Sequence, residues 1–291
     1  MHLVAGATGI LGFEVCRLLV AKEKRVRAIV RESSSPEKVQ ALEQLGVRIV
    51  RGDLKDSASL DAACQGITKV ISTASSTRSR STGDSIETVD EQGQLNLIDA
   101  AAAAGVSHFV LVSFPPLEPD FPLQSAKRRV EDSLRKSGIT YTILQPTMFM
   151  EVWLGPALGF DVRAGAVRVY GSGTNPISWI SFHDVAQSAV AALERPEARN
   201  ATIPLGGPEA LSPNDVVALA ERETGRKLEI QHVPEEALRQ QYEAAADSMS
   251  RSFAGLMLGY ASGQPIDRAD ARRRLGIEQL TSVREYLRTQ V

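Results

Sequence analysis

The stretch Val4-Ala5-Gly6-Ala7-Thr8-Gly9-Ile10-Leu11-Gly12 decides the fold. A short apolar run, His2-Leu3-Val4, leads into it and reads as a first strand. Behind it, Leu11, Val15, Leu18 and Leu19 recur at helical spacing. Strand, glycine turn and helix in that order lift the Gly-x-x-Gly-x-x-Gly spacing above chance. A side chain at Gly6 or Gly9 would block the tight turn or the close approach of a pyrophosphate. Gly12 lets the helix sit close to the sheet. The free N–H groups at the helix start, helped by the helix dipole, then face phosphate oxygens. Gly6, Thr8, Gly9, Ile10, Leu11 and Gly12 are therefore expected to bind a dinucleotide.

Outward from this unit the pattern repeats. Strands are predicted at 25–30, 47–50, 69–73, 108–113 and 140–144, and helices at 36–45, 57–64, 86–104 and 125–137. Asp56 or Ser57 caps the helix at 57, and Gly105 and Gly138 stop the last two helices. Such alternation implies a parallel sheet with helices on both faces. Right-handed crossovers make it an α/β, doubly wound Rossmann domain. After Gln145-Pro146 the rhythm changes, and Gly155, Pro156, Gly159 and Gly165 punctuate the chain. Short strands are predicted at 167–170, 178–181, 201–205 and 228–233. Helices are predicted at 184–194, 213–224 and 234–246, with a last one near 282–288.

The chain has 291 residues, 43% of them hydrophobic, which suits one large or two small domains with a sizeable core. Its formal net charge is -2 and it carries no long basic run, so nucleic acid is not an expected partner. Cys16 falls among apolar helix neighbours and reads as core; Cys64 lies far from it. Two distant cysteines form neither a metal pattern nor a disulfide framework, which fits a reducing cytoplasm. A strand starting at the first residues leaves no room for a signal peptide, and no apolar run is long enough for a bilayer.

By these pieces the chain resembles the atypical short-chain dehydrogenase/reductases, specifically their NmrA-like branch. The resemblance rests on Gly6-Ala7-Thr8-Gly9-x-x-Gly12, Val30-Arg31 and Arg51-Gly52-Asp53-Leu54. It extends through Ser137-Gly138-Ile139-Thr140-Tyr141-Thr142-Ile143-Leu144-Gln145-Pro146, Phe149-Met150-Glu151 and Asp184-Val185-Ala186, and covers nearly the whole chain. It implies an NADP-binding Rossmann domain at 1–146 and 177–206. It also implies a smaller, discontinuous substrate domain at 147–176 and 207–291.

Arg31 closes the second strand, where NAD-preferring sites usually place an acid on the ribose 2′-hydroxyl. A cation there suits the 2′-phosphate of NADP(H). Glu32 follows and competes for the ribose. The family places Asp53 and Leu54 beside the adenine; Asp53 also suits a turn bonded to its own backbone. Thr73, Ala74 and Ser75 end the fourth strand over the sheet crevice. The polar run after them carries Arg78 and Arg80, which either guide an anionic substrate or simply face solvent. Classical relatives use a Tyr-x-x-x-Lys pair, the tyrosine as general acid and the lysine lowering its pKa. Here the lysine is Lys127, but Leu123 stands four residues earlier. Lys127 and Ser113 are the catalytic candidates, and Lys127 also a ribose contact. In relatives the turn at Pro146, Thr147 and Phe149 touches the nicotinamide end; Phe149 either stacks there or is core. His183-Asp184 reads as a helix start rather than a catalytic pair. Trp153, Phe160, Tyr170 and Trp179 are expected to supply an apolar cleft wall.

Two functions follow. One is an NADPH-dependent reductase passing hydride to a small quinone-like or similarly conjugated acceptor. The other is a non-catalytic NADP(H)-binding sensor acting through a protein partner. No metal is expected, and the sequence leaves oligomerisation open.

Overall fold

In the computed structural model, which describes residues 1–79 and 81–290, the alternation becomes a seven-stranded parallel sheet. Arg80 lies outside the described residues. The first half runs β1 (His2–Ala5), α1 (Ile10–Ala21), β2 (Val26–Val30), α2 (Pro36–Gln44), β3 (Arg48–Arg51), α3 (Ser57–Cys64), β4 (Lys69–Ser72), α4 (Gln94–Ala103), β5 (His108–Val112), α5 (Pro122–Lys136) and β6 (Thr140–Pro146). The second half runs α6 (Met150–Trp153), β7 (Phe160–Asp161), β8 (Ala166–Tyr170), α7 (Phe182–Ala192), β9 (Ala201–Leu205), α8 (Pro213–Thr224), β10 (Glu229–Val233), α9 (Glu235–Ala244), α10 (Ser248–Ser262), α11 (Ala269–Leu275) and α12 (Val283–Arg288). The large sheet has the order β3-β2-β1-β4-β5-β6-β9. Its order reverses between β1 and β4, which opens a crevice beyond their carboxyl ends.

Every residue of β2 and β5 is buried, as expected of strands covered on both faces. One face packs Val4, Val15, Leu144 and Val185 beneath α1 and α7. The other packs Leu3, Leu60, Leu97 and Phe109 beneath α3 and α4. Arg27 is tolerated inside β2 because its Nη1 donates to the Ala63 and Gln65 carbonyls at 2.7 and 2.8 Å, where α3 ends. Asp56, not Ser57, caps α3, accepting from Ala58 N and Ser59 N.

A second sheet, β10-β8-β7, sits on its own core around the fully buried Trp179. Here the sequence reading needs correction, beyond the short α6, β7 and α11 that it does not predict. Residues 178–181 form no strand. Ile177, Ser178 and Ile180 donate to three separate partners, Leu211, Gln264 and Met148, so no ladder develops. The helix expected at 86–104 opens as a π-helix over Ile86–Gly93 before α4, and consecutive residues Val89 and Asp90 are both buried there. Finally, α10 carries no helical signal strong enough to read, because Gly255 and Gly259 dilute its propensity. Those glycines are contact points. A Cβ on Gly255 would meet the Phe121 ring at 2.4 Å, and one on Gly259 would meet Leu117 Cδ1 at 2.8 Å.

Gly255→Ala therefore gains about 1 kcal/mol of helix propensity and loses more by overpacking, about 1–3 kcal/mol. Net destabilisation is expected in urea unfolding; a variant more stable than the parent would show that α10 does not press on Phe121.

Candidate functional site

The glycine turn is dictated by the protein's own backbone at two of its three positions. Gly6 adopts φ +83, and a Cβ there would lie 2.7 Å from Thr73 Oγ1 and 2.8 Å from Ala74 N. A Cβ on Gly12 would lie 2.2 Å from the Gly6 carbonyl oxygen. Gly9 differs. It is exposed, and its Cβ would meet only the Gly6 oxygen at 3.2 Å. Gly9 is also the N-cap of α1, with no side-chain cap and no acid in the first turn. By contrast α3, α7, α8, α10 and α12 are capped by Asp56, Ser181, Ser212, Asp247 and Ser282. Other helices, α2, α5 and α9 among them, also lack a side-chain cap; what sets α1 apart is that its opening N–H groups follow the glycine turn at the sheet crevice. Ile10, 55% exposed, stands beside them; Thr8 is half-buried and Leu11 is buried. This arrangement fits a pyrophosphate.

Thr73 Oγ1 donates to the Ala5 carbonyl at 3.1 Å, and the Ala74 carbonyl accepts from Gln94 Nε2 at 2.9 Å. Ser75 is exposed at the rim. At the ends of β2 and β3 stand two cations, Arg31 and Lys55, and both donate to Asp84. The sequence reading leaves Arg31 free for a phosphate; in the structure it is engaged. Burial alone would raise the Asp84 pKa, but hydrogen bonds from Lys55, Ser79 and Arg31, and the Arg31 charge, hold it below the usual carboxylate value. Glu32 points away, 3.7 Å from Arg51. Asp53 Oδ1 accepts from Lys55 N at 2.9 Å, a local turn bond, while Leu54 is buried against Gly93.

Lys127 is 5% exposed, and its Nζ lies 3.6 Å from Asp90 Oδ1. Asp90 is fully buried. Its Oδ2 accepts from Ser76 N and Oγ at 2.9 and 2.5 Å, while Oδ1 has no hydrogen-bond partner among the described residues. Leu123 is buried hydrocarbon whose N–H donates to Ser252 Oγ at 3.0 Å. Ser113 does not join Lys127. Its hydroxyl donates to Glu131 Oε1 at 2.6 Å, and Glu131 also accepts from Gln145, Arg128 and Arg135. A serine whose proton is held by a buried carboxylate is a poor proton donor to a substrate, so Ser113 reads as a positioning group.

Pro146 and Thr147 are buried, with Thr147 Oγ1 donating to the Ser178 carbonyl. Phe149 is partly buried against the core, its ring centroid 4.4 Å from that of Phe182. His183 bonds Glu14 and Gln187, while Asp184 accepts from Thr281, so the pair is structural. The aromatic wall is a correction as well. Phe160, Tyr170 and Trp179 are buried, and Trp153 stacks on Tyr260 at 5.3 Å. Sequence reasoning missed Lys55, Asp84 and Asp90. Only Asp90 left a signal, a charge in phase with Ile86, Gly93 and Leu97 on a helix that otherwise buries that face.

The model of the NmrA-like family matches residues 2–287. The chain is 32% identical to an NAD(P)H azoreductase of Xenophilus azovorans over 278 residues, 90% of either chain. It is 34% identical to the photosystem II assembly factor Ycf39 of Synechocystis, covering 81% of this chain and 72% of that protein. Its fold superposes with a TM-score of 0.79 on an NADPH-dependent quinone oxidoreductase from Escherichia coli, solved with NADPH. That protein is 24% identical, with 99% of each chain covered.

The three glycines should respond differently to substitution. Gly9→Val suits the extended backbone at φ -82 and ψ 163, so it is expected to fold within about 1 kcal/mol of the parent and to lose dinucleotide binding. Gly12→Ala should lose about 2–4 kcal/mol of stability. Thermal melts with calorimetric titration of NADPH check both; tight NADPH binding by Gly9→Val would remove the phosphate from the turn.

Proposed function

Since the chain belongs to the NmrA-like family, we propose that it is an NAD(P)H-dependent reductase that prefers NADP(H) and reduces a small conjugated acceptor of the quinone kind. The observation that carries this reading is the pairing of two anion sites along one crevice. One is the uncapped start of α1, the other the Arg31–Lys55 cation pair at the ends of β2 and β3. Pyrophosphate at the first and 2′-phosphate at the second would hold an NADP-type dinucleotide along the carboxyl edge of the sheet. When bound, this cofactor supplies a hydride. The acceptor would lie where the 1–146 and 177–206 unit meets the 147–176 and 207–291 unit.

The chain's own groups then decide which acceptor is served. Reducing an isolated ketone leaves an alkoxide, which needs a poised proton donor. Leu123 offers hydrocarbon where such an acid would stand, and Ser113 is bonded to Glu131. A quinone yields a delocalised phenolate-like anion, for which water is an adequate acid. The buried Lys127 ammonium, 3.6 Å from Asp90 Oδ1, supports the negative charge as it develops. A second reading, an NADP(H)-binding protein that acts through a partner, is favoured by the missing acid. The assembly-factor relatives lend it weaker support.

NADPH consumption with quinones and azo compounds is expected to exceed that with aliphatic ketones. Lys127→Ala should lower it roughly tenfold or more, the scale of a lost electrostatic contact. Efficient turnover of an unconjugated ketone would contradict the argument from Leu123, and tight NADPH binding without turnover of any acceptor would favour the second reading. Arg31→Ala should weaken NADPH by about 1.5–3 kcal/mol, roughly ten- to a hundredfold, with NADH little changed. Equal wild-type affinities for the two cofactors would refute the 2′-phosphate clamp.

A further inference from the structure

We propose that Asp84 is a built-in occupant of the 2′-phosphate subsite, an acid that must leave the Arg31–Lys55 pair before a 2′-phosphorylated dinucleotide can bind. The proposal rests on the cofactor reading above.

The donor set around Asp84 is one that suits a phosphate. Lys55 Nζ donates to Oδ1, while Arg31 Nη1 and Ser79 Oγ donate to Oδ2. An ammonium, a guanidinium and a hydroxyl converging on two oxygens form a cradle for a phosphate monoester. Its depths are filled: the Asp84 side chain is 2% exposed. Its rim is open, because the Arg31 and Lys55 side chains keep 32% and 28% of their exposure. An anion arriving from the crevice can therefore approach both cations, but it takes over their hydrogen bonds only as the carboxylate leaves.

Asp84 is also carried by a segment able to move. Gly83 precedes it at φ +80, and a Cβ on Gly83 would meet nothing within 4 Å. The Asp84 N–H donates to the Ser81 carbonyl at 3.2 Å, the longer end of such bonds. Ser85, the next residue, caps the π-helix through Thr88, and the Thr88 hydroxyl also donates to the Gly83 carbonyl at 2.8 Å, one exposed bond that withdrawal of Asp84 would exchange for water. A rotation about Gly83 thus withdraws the carboxylate without unwinding the helix.

The exchange is selective by charge. A phosphate monoester carries about -1.5 to -2 at neutral pH, against -1 for the carboxylate, so it competes well at two adjacent cations. The ribose 2′-hydroxyl of NADH carries no charge and cannot displace Asp84. With Asp84 seated both cations are satisfied from within the chain, and with Asp84 withdrawn they are open to the 2′-phosphate of NADPH. The protein's preference for NADPH is consequently smaller than its two cations alone would give.

The test uses calorimetric titration of the full chain with 2′,5′-ADP, 5′-AMP, NADPH and NADH. Asp84→Asn, which keeps the shape and removes the charge, is expected to tighten 2′,5′-ADP and NADPH tenfold or more. It should leave 5′-AMP unchanged and NADH unchanged or weaker. Asp84→Ser should behave alike, which covers a folding failure of either variant. Unchanged or weakened NADPH affinity in a folded Asp84 variant overturns the proposal, because Asp84 would then merely orient Arg31. In the wild type, 2′,5′-ADP should speed amide exchange across 81–85; protection there overturns displacement. Arg31→Ala separates the two levels of inference. If it binds NADPH as the parent does, the 2′-phosphate clamp on which the proposal rests fails, whatever Asp84→Asn shows.

Discussion

The contact on which the rest depends is the one between the Gly6 carbonyl and Gly12. Any side chain at 12 would begin 2.2 Å from that oxygen, so the first turn of α1 rests directly on the end of β1. That closeness aims the helix axis along the crevice opened by the β1–β4 reversal. It also leaves Gly9, without a capping side chain, as the point where α1 meets solvent. A capped helix in this place would be more stable on its own and would bind no anion. The turn therefore gives up local stability for an open set of N–H donors.

How much of this was legible in the sequence depends on whether a feature is local. The strand–turn–helix unit, the alternation after it and the caps are written in adjacent residues, and they appear in the structure close to their predicted bounds, α5 starting three residues early and the helix expected at 86–104 opening as a π-helix. What failed was non-local. Residues 178–181 have the composition of a strand, but three different segments take their backbone donors. The glycines of α10 look like helix breakers until Phe121 and Leu117 are seen pressed against them. Trp179 and Tyr170 are aromatic near a domain junction and were expected to line a cleft, yet they fill the core of the small sheet. Lys127 was visible through a spacing, but Asp90, 37 positions earlier by the numbering, meets it only in the fold. The same holds for Arg31 and Asp84. Their sequence separation hides an interaction that decides whether the arginine is free.

Buried carboxylates recur around the crevice, and each has its own solution. Asp184 is pushed up by burial and is held by Ser181 and Thr281. Asp84 meets two cations and a hydroxyl. Asp90 satisfies one oxygen with Ser76 and leaves the other toward Lys127. Desolvating such groups is expensive unless donors surround them, so their neighbours are constrained in type as well as in size. Polar residues at this edge thus carry a large part of the specificity of the fold.

Glu131 shows where that constraint leads. It joins Ser113 at the end of β5, Gln145 near the end of β6 and two arginines of its own helix. One helical turn before it on α5 stands Lys127. The carboxylate behaves as a rivet, and the distance from the lysine to the sheet is thereby set by residues that touch no ligand. Gln145 and Arg135 would be gauges of alignment rather than of chemistry. Drift at either would shift α5, and with it the aim of the Lys127 ammonium.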